Sequence, residues 1–101
     1  MTTKSYFGRL EKKYGPLTFG KTLTALRESE GATQTAFAKK LSLSIQNLND
    51  IEKGRRIPTP TRAARIAKLL RLSEISLIQL AIRDSLSKEG FKYDVQLNLS
   101  S

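Results

Sequence analysis

The stretch SLSIQNLNDIEKGRR, residues 42–56, holds most of the chain's chemistry. Leu48 and Ile51 stand three apart, the spacing of one helical face. Around them Ser44, Gln46, Asn47 and Asn49 can all donate or accept hydrogen bonds, and Arg55 and Arg56 follow directly. In a helix over 45–53 the outward residues are Ser44, Ile45, Gln46, Asn49, Asp50 and Lys53. Such a face suits something flat, polar and anionic. Carboxamides bond adenine edges bidentately and a serine hydroxyl contacts several bases. Asp50 has three readings there: accepting from cytosine N4, excluding wrong sequences, or holding Gln46 or Arg55 in place.

The charge distribution points the same way. Eighteen Lys and Arg against nine Asp and Glu give a net charge of +9. From Lys53 to Ser73 there are seven cations (Lys53, Arg55, Arg56, Arg62, Arg65, Lys68, Arg71) and no acid. A second group, Lys4, Arg9, Lys12, Lys13 and Lys21, is interrupted only by Glu11. Clustered cations attract a polyanion and release its counterions on contact. Nucleic acid is the leading reading; a merely solvated basic surface and an anionic membrane patch are the competitors.

The chain has no Cys and no His. Disulfides, Cys/His zinc sites and nucleophile–imidazole arrangements are thereby excluded, and a reducing compartment is suited. No metal and no other cofactor is expected. Asp50 and Glu52 are the nearest approach to an acid–base pair, but alternate helix positions diverge, so an enzyme is the weakest reading. No apolar run reaches the roughly 18 residues of a membrane span, and 1–10 is too polar for a signal peptide. A soluble, cytoplasmic protein with no membrane partner is expected. At 101 residues, roughly 60–65% of the unfolded surface can be buried, so a dimer is a natural source of added stability.

Five helices must position the polar face. Residues 1–16 read as a basic arm ending in Gly15-Pro16, with Tyr6, Phe7 and Tyr14 able to dock part of it. A helical stripe then runs from Leu17 through Leu23 and Leu26 and stops at Gly31. Thr33 caps a second helix, Gln34 to Leu41, with Phe37, Ala38 and Leu41 inward; Ser44 caps a third, Ile45 to Lys53, closed by Gly54. Thr59-Pro60 opens a fourth, burying Ala63, Ile66, Ala67 and Leu70. Ser73 caps a fifth, which ends at Gly90 and is apolar around too much of its girth (Ile75, Leu77, Ile78, Leu80, Ala81, Ile82, Leu86) for one core-facing stripe. Part core and part subunit interface is expected; a wholly central helix is the alternative.

FKYDVQLNL, residues 91–99, alternates strictly, with Phe91, Tyr93, Val95, Leu97 and Leu99 on one side. That pattern predicts a half-buried strand with no partner elsewhere in the chain, left to pair with a second copy or another protein. A disordered tail is the competing reading.

The segment ALRESEGATQTAFAKKL and the closing IEKGRR resemble the phage-repressor-like (Cro/C1, or XRE) helix-turn-helix family, over about residues 17–72. The resemblance implies an all-α, five-helix lambda-repressor-like domain, here over 17–90 and followed by the short strand or tail 91–101. It also implies a two-fold homodimer on a palindromic double-stranded DNA operator. Base reading falls by resemblance to Ser44, Ile45, Gln46 and Asn49, and phosphate contacts to Thr33, Gln34, Asn47, Lys53, Arg55 and Arg56. Plain structural roles stay open: Ser44 and Asn47 as caps, Gly54 as a helix stop. Two departures concern geometry: Ser42 stands where the family's turn carries Gly, and Leu72 where Gly often ends the fourth helix.

A transcriptional repressor is therefore expected, with the antitoxin of a toxin–antitoxin pair (HigA/HipB type) preferred and a toxin as second partner. Ile78, Ile82, Phe91, Tyr93, Val95 and Leu97 are the candidate dimer or partner surface. The alternatives are a phage-type or restriction-modification controller, or a protein-interaction module on the same fold.

Overall fold

Hydroxyl side chains begin five of the helices. Thr33, Ser44, Thr59 and Ser73 accept from the backbone N–H of Ala36, Asn47, Arg62 and Ser76, and Thr18 does the same for Lys21, all at 3.0–3.2 Å. Each bond satisfies one of the N–H groups that a helix start leaves without a partner. The computed structural model describes residues 3–100; residues 1, 2 and 101, at the ends of the expected arm and tail, lie outside them. The elements are α1 (Thr3–Tyr14), α2 (Phe19–Ser29), α3 (Gln34–Lys40), α4 (Ile45–Glu52), α5 (Pro60–Leu70) and α6 (Glu74–Lys88).

The ends are as regular as the starts. After α4, Gly54 N–H reaches the Ile51 carbonyl and Arg55 N–H the Asp50 carbonyl; after α6, Gly90 N–H reaches Ser87 and Phe91 N–H reaches Leu86. This paired closure needs one residue in the left-handed region. Gly31, Gly54 and Gly90 supply it after α2, α4 and α6. Ser42 takes it after α3, with φ 55°, as its place in the expected turn requires. For a non-glycine residue that conformation costs on the order of 1 kcal/mol. At the end of α5 the strained residue is Arg71 (φ 58°), one position before Leu72, where a glycine departure was anticipated.

Two expectations are corrected. The segment read as an arm is helical from Thr3 to Tyr14, which makes six helices rather than five among the described residues. Phe7 and Leu10, three apart, form a narrow stripe that packs against the core, and Gly15-Pro16 is the stop signal of that helix. The C-terminal strand is not seen: no strand occurs among the described residues. Phe91 is spent on closing α6, and among the described residues no segment offers a ladder to those after it. The tail keeps a trace of alternation, with Val95 and Leu97 half-buried beside exposed neighbours, and Leu97 N–H donates to Gln79 Oε1 (3.1 Å).

The core is shared by α2 to α6. Leu23, Phe37, Leu48, Ile51, Ile66 and Leu77 are all essentially inaccessible, and Ala38, Ala63, Ala67 and Ala81 keep the helices close. Burial of each large side chain stabilises by about 1.5–3 kcal/mol. α2 and α4 approach so closely that a Cβ on Gly20 would press into the carbonyl oxygens of Ile51 and Glu52. α6 packs mostly on α5, and its Leu77, Leu80 and Ala81 are buried; Ile75, Ile78, Ile82 and Leu86 remain half-exposed.

Candidate nucleic-acid interface

α4 is fastened to the rest of the fold from one side only. Leu48 and Ile51 are buried, while Ser44, Ile45 and Gln46 at its start are exposed, Ile45 by 49%. An isoleucine half in water at the head of a polar helix does nothing for this core. Lys53, Arg55 and Arg56 are exposed just beyond the other end. Thr33 is exposed, and Gln34, Asn47 and Asn49 are half-buried. The residues expected to read bases and those expected to hold phosphates thus lie on α3, α4 and the segments at their ends, exposed or half-buried.

A polar network sets the angle between the helices. Glu52, whose side chain is only 5% exposed, receives both Arg27 Nε (2.9 Å) and Arg27 Nη2 (3.0 Å) from α2. The paired geometry raises the Arg27 pKa, chiefly through that hydrogen bond. Gln34 Nε2, at the start of α3, donates to Glu52 Oε1 and to Asn49 Oδ1, both at 3.2 Å. Three helices are joined by one guanidinium, one carboxylate and two amides. The Asn49 carbonyl oxygen is thereby engaged, and its amino group is the end left for a ligand.

The outer face has its own set of bonds. Gln46 Nε2 donates to Asp50 Oδ1 at 3.0 Å and Arg55 Nε to the same oxygen at 3.1 Å. These bonds, Gln46 first and Arg55 second, hold the Asp50 carboxyl below the usual range. Ser44 and Thr33 hydroxyls are both engaged as helix caps, the plainer role left open for Ser44.

Residues 18–77, more than half of the chain, match the family described as helix-turn-helix domain. The chain belongs to that family. Over 55 residues it is 36% identical to YazB of Bacillus subtilis (strain 168), named as an uncharacterized HTH-type transcriptional regulator; the match spans 54% of this chain and 80% of the relative. No solved structure gives a significant match.

Within the helix-turn-helix, α3 is the first helix, residues 41–44 the turn and α4 the second helix. Of the pair that ties α4 to α2, Arg27 was not singled out from sequence and Glu52 was weighed only as half of an acid–base pair. A signal was present: Arg27 follows Leu23 by four positions, which places its stem on the buried face of α2. Gly20 carried no such signal, because what excludes its Cβ is backbone from a distant segment. Elsewhere, Asp84 on α6 accepts from Phe19 N–H (2.8 Å) at the start of α2; burial pushes its carboxyl up, against the hydrogen bond and nearby Arg83. Among the described residues no cluster of acids has metal-ligand geometry, and no helix is long and apolar enough to cross a membrane.

Of the expected contact surface on α6 and the tail, Ile78 packs partly on the core and Ile82 is half-buried. Phe91 and Tyr93 are 50% and 65% exposed, with rings stacked at 6.1 Å. Val95 and Leu97 lie on the side of the tail that faces α6.

Proposed function

We propose that this protein is a DNA-binding transcriptional regulator that acts as a dimeric, sequence-specific repressor on a palindromic operator. The observation that carries the reading is the exposed face of α4: Ser44, Ile45 and Gln46 stand clear of a core that Leu48 and Ile51 complete from the other side. Ile45 and Gln46 offer an apolar contact for a thymine methyl and a carboxamide for a base edge, and the Asn49 amino group offers a donor. Thr33, Gln34, Asn47, Lys53, Arg55 and Arg56 flank that face and supply N–H groups and cations for phosphates. YazB, named as a transcriptional regulator, supports action at the level of transcription.

The dimer rests on the half-exposed side of α6 and the apolar tail, with Ile78, Ile82, Phe91, Tyr93, Val95 and Leu97 as contacts. The same tail favours an antitoxin repressing its own operon over a phage-type or restriction-modification controller. Exposed, stacked Phe91 and Tyr93 give a second protein a surface on another element than α4.

The deciding experiment is titration of the protein onto the DNA upstream of its own gene and onto a random duplex of equal length, at two salt concentrations. A preference of roughly a thousandfold or more is expected for the upstream DNA. Equal, steeply salt-dependent affinity for both would leave a non-specific binder. Absence of binding at low salt would leave a protein-interaction module in its place.

A further inference from the structure

The Asp50 carboxylate is the one acid on a face whose other residues are apolar, neutral polar or cationic. Its side chain is 18% exposed, against 55% for Arg55. One oxygen, Oδ1, accepts from Gln46 Nε2 one helical turn earlier and from Arg55 Nε just past the helix end. The backbone reinforces the second link, since the Asp50 carbonyl accepts from Arg55 N–H (2.8 Å) and Arg56 N–H (3.2 Å). Asp50 is therefore held in place by the closure of α4 and in turn holds one side chain on each flank.

An ionised carboxylate only accepts hydrogen bonds. Gln46 must therefore turn its amino group towards Asp50, and its carbonyl oxygen Oε1 turns away. Without Asp50 the two ends of the carboxamide are nearly isosteric, and either can face a ligand. With Asp50 one amide hydrogen is committed and the outward end leads with the acceptor Oε1, the second N–H being the one donor left beside it. Acceptors meet the exocyclic amino groups of adenine (N6) and cytosine (N4) in the major groove, whereas guanine O6 and N7 and thymine O4 present further acceptors to it.

Resting on the DNA-binding reading above, we propose that Asp50 is a specificity-determining positioning residue. It orients the Gln46 carboxamide so that Oε1 favours a facing base with an exocyclic amino group, and it places Arg55 at a fixed distance along the backbone. Its negative charge adds repulsion towards acceptor-bearing bases at the same position, a specificity device that works by exclusion.

The test is selection from a duplex library with randomised positions, carried out with the wild type, Asp50→Asn, Asp50→Glu, Gln46→Ala and the Gln46→Ala/Asp50→Asn double variant, after thermal melts show that each folds. An asparagine can both donate and accept, so Asp50→Asn frees the Gln46 amide to turn. The expected result is a loss of roughly tenfold or more in discrimination at one base pair, with the other positions unchanged. Binding of Asp50→Asn to a random duplex is expected to tighten, since one negative charge has left the surface. Asp50→Glu, which keeps an acceptor-only group, restores part of the discrimination. Once Gln46 is alanine, Asp50→Asn removes nothing more at that base pair.

Unchanged preferences in Asp50→Asn overturn the inference and leave the DNA-binding reading intact. Uniform weakening across all positions makes Asp50 a structural residue only and also overturns it. A wild type that selects no sequence removes the DNA-binding reading and this inference together.

Discussion

Between α2 and α4 the chain leaves no freedom: Gly20 has no room for a Cβ, and Arg27, Glu52, Gln34 and Asn49 are bonded across three helices. Beyond Gly90 it is held lightly, by the Leu97 N–H to Gln79 bond and the half-burial of Val95 and Leu97, while Phe91, Tyr93 and Leu99 face solvent. The first region aims α4 with side chains bonded to one another across three helices. The second exposes apolar side chains that its own chain does not cover. Rigid aim suits reading a fixed ligand such as a DNA groove, and uncovered apolar surface suits association with a protein.

Gly20→Ala is the most severe way to break the rigid region. In an unconstrained helix the change would stabilise by up to about 1 kcal/mol. Here the added methyl meets backbone rather than a flexible side chain, so α2 and α4 must separate. The expected outcome in urea unfolding is a loss of about 3 kcal/mol or more, with the opposite sign to helix propensity. A neutral or stabilised variant would mean the two backbones can move apart freely, and the contrast with the tail would lose its basis.

Arg27→Ala comes next. It leaves the Glu52 carboxylate, 5% exposed, without its cation and Gln34 as its remaining donor. Breaking one side of a buried pair costs about 3 kcal/mol at the lower end of the known range, which fits an arginine that is 20% exposed. The Arg27→Ala/Glu52→Ala double variant should lose less than the sum of the single losses, because the uncompensated charge is gone. Strict additivity in the unfolding free energies would show that the two groups do not act as a pair.

What was legible in the sequence follows the same division. Thr33, Ser44, Thr59 and Ser73 could be read as helix starts, and Gly31, Gly54 and Gly90 as ends, because caps are decided within three or four residues. The inward faces of α3 and α4 were legible for the same reason: Phe37, Ala38, Leu48 and Ile51 are buried where the period places them. The helical state of α1 was not, since its stripe of Phe7 and Leu10 is short and its charge is high, and its order comes from packing onto the core. Nor was the fate of the 91–99 alternation. A period of two shows which side chains would share a face, but a strand exists only where a second strand supplies the ladder. The Arg27–Glu52 tether joins residues 25 apart and needed the fold to bring it together.

Removal of residues 92–101 has the smallest expected effect and sharpens the comparison from the other side. Phe91 is kept because its N–H closes α6. The deletion uncovers the half-buried contacts of Val95 and Leu97, which together are worth about 1–3 kcal/mol of transfer free energy. It also releases ten residues whose backbone ordering opposes folding by about 1 kcal/mol or more each wherever they are fully fixed. The two effects largely cancel, and unfolding of the isolated chain should change by less than about 1 kcal/mol. Association should change far more: the mass measured by light scattering is expected to fall from dimer to monomer. A loss of stability comparable to that of Arg27→Ala, with the mass unchanged, would make the tail a structural strap across α6 and remove it from any subunit or partner contact.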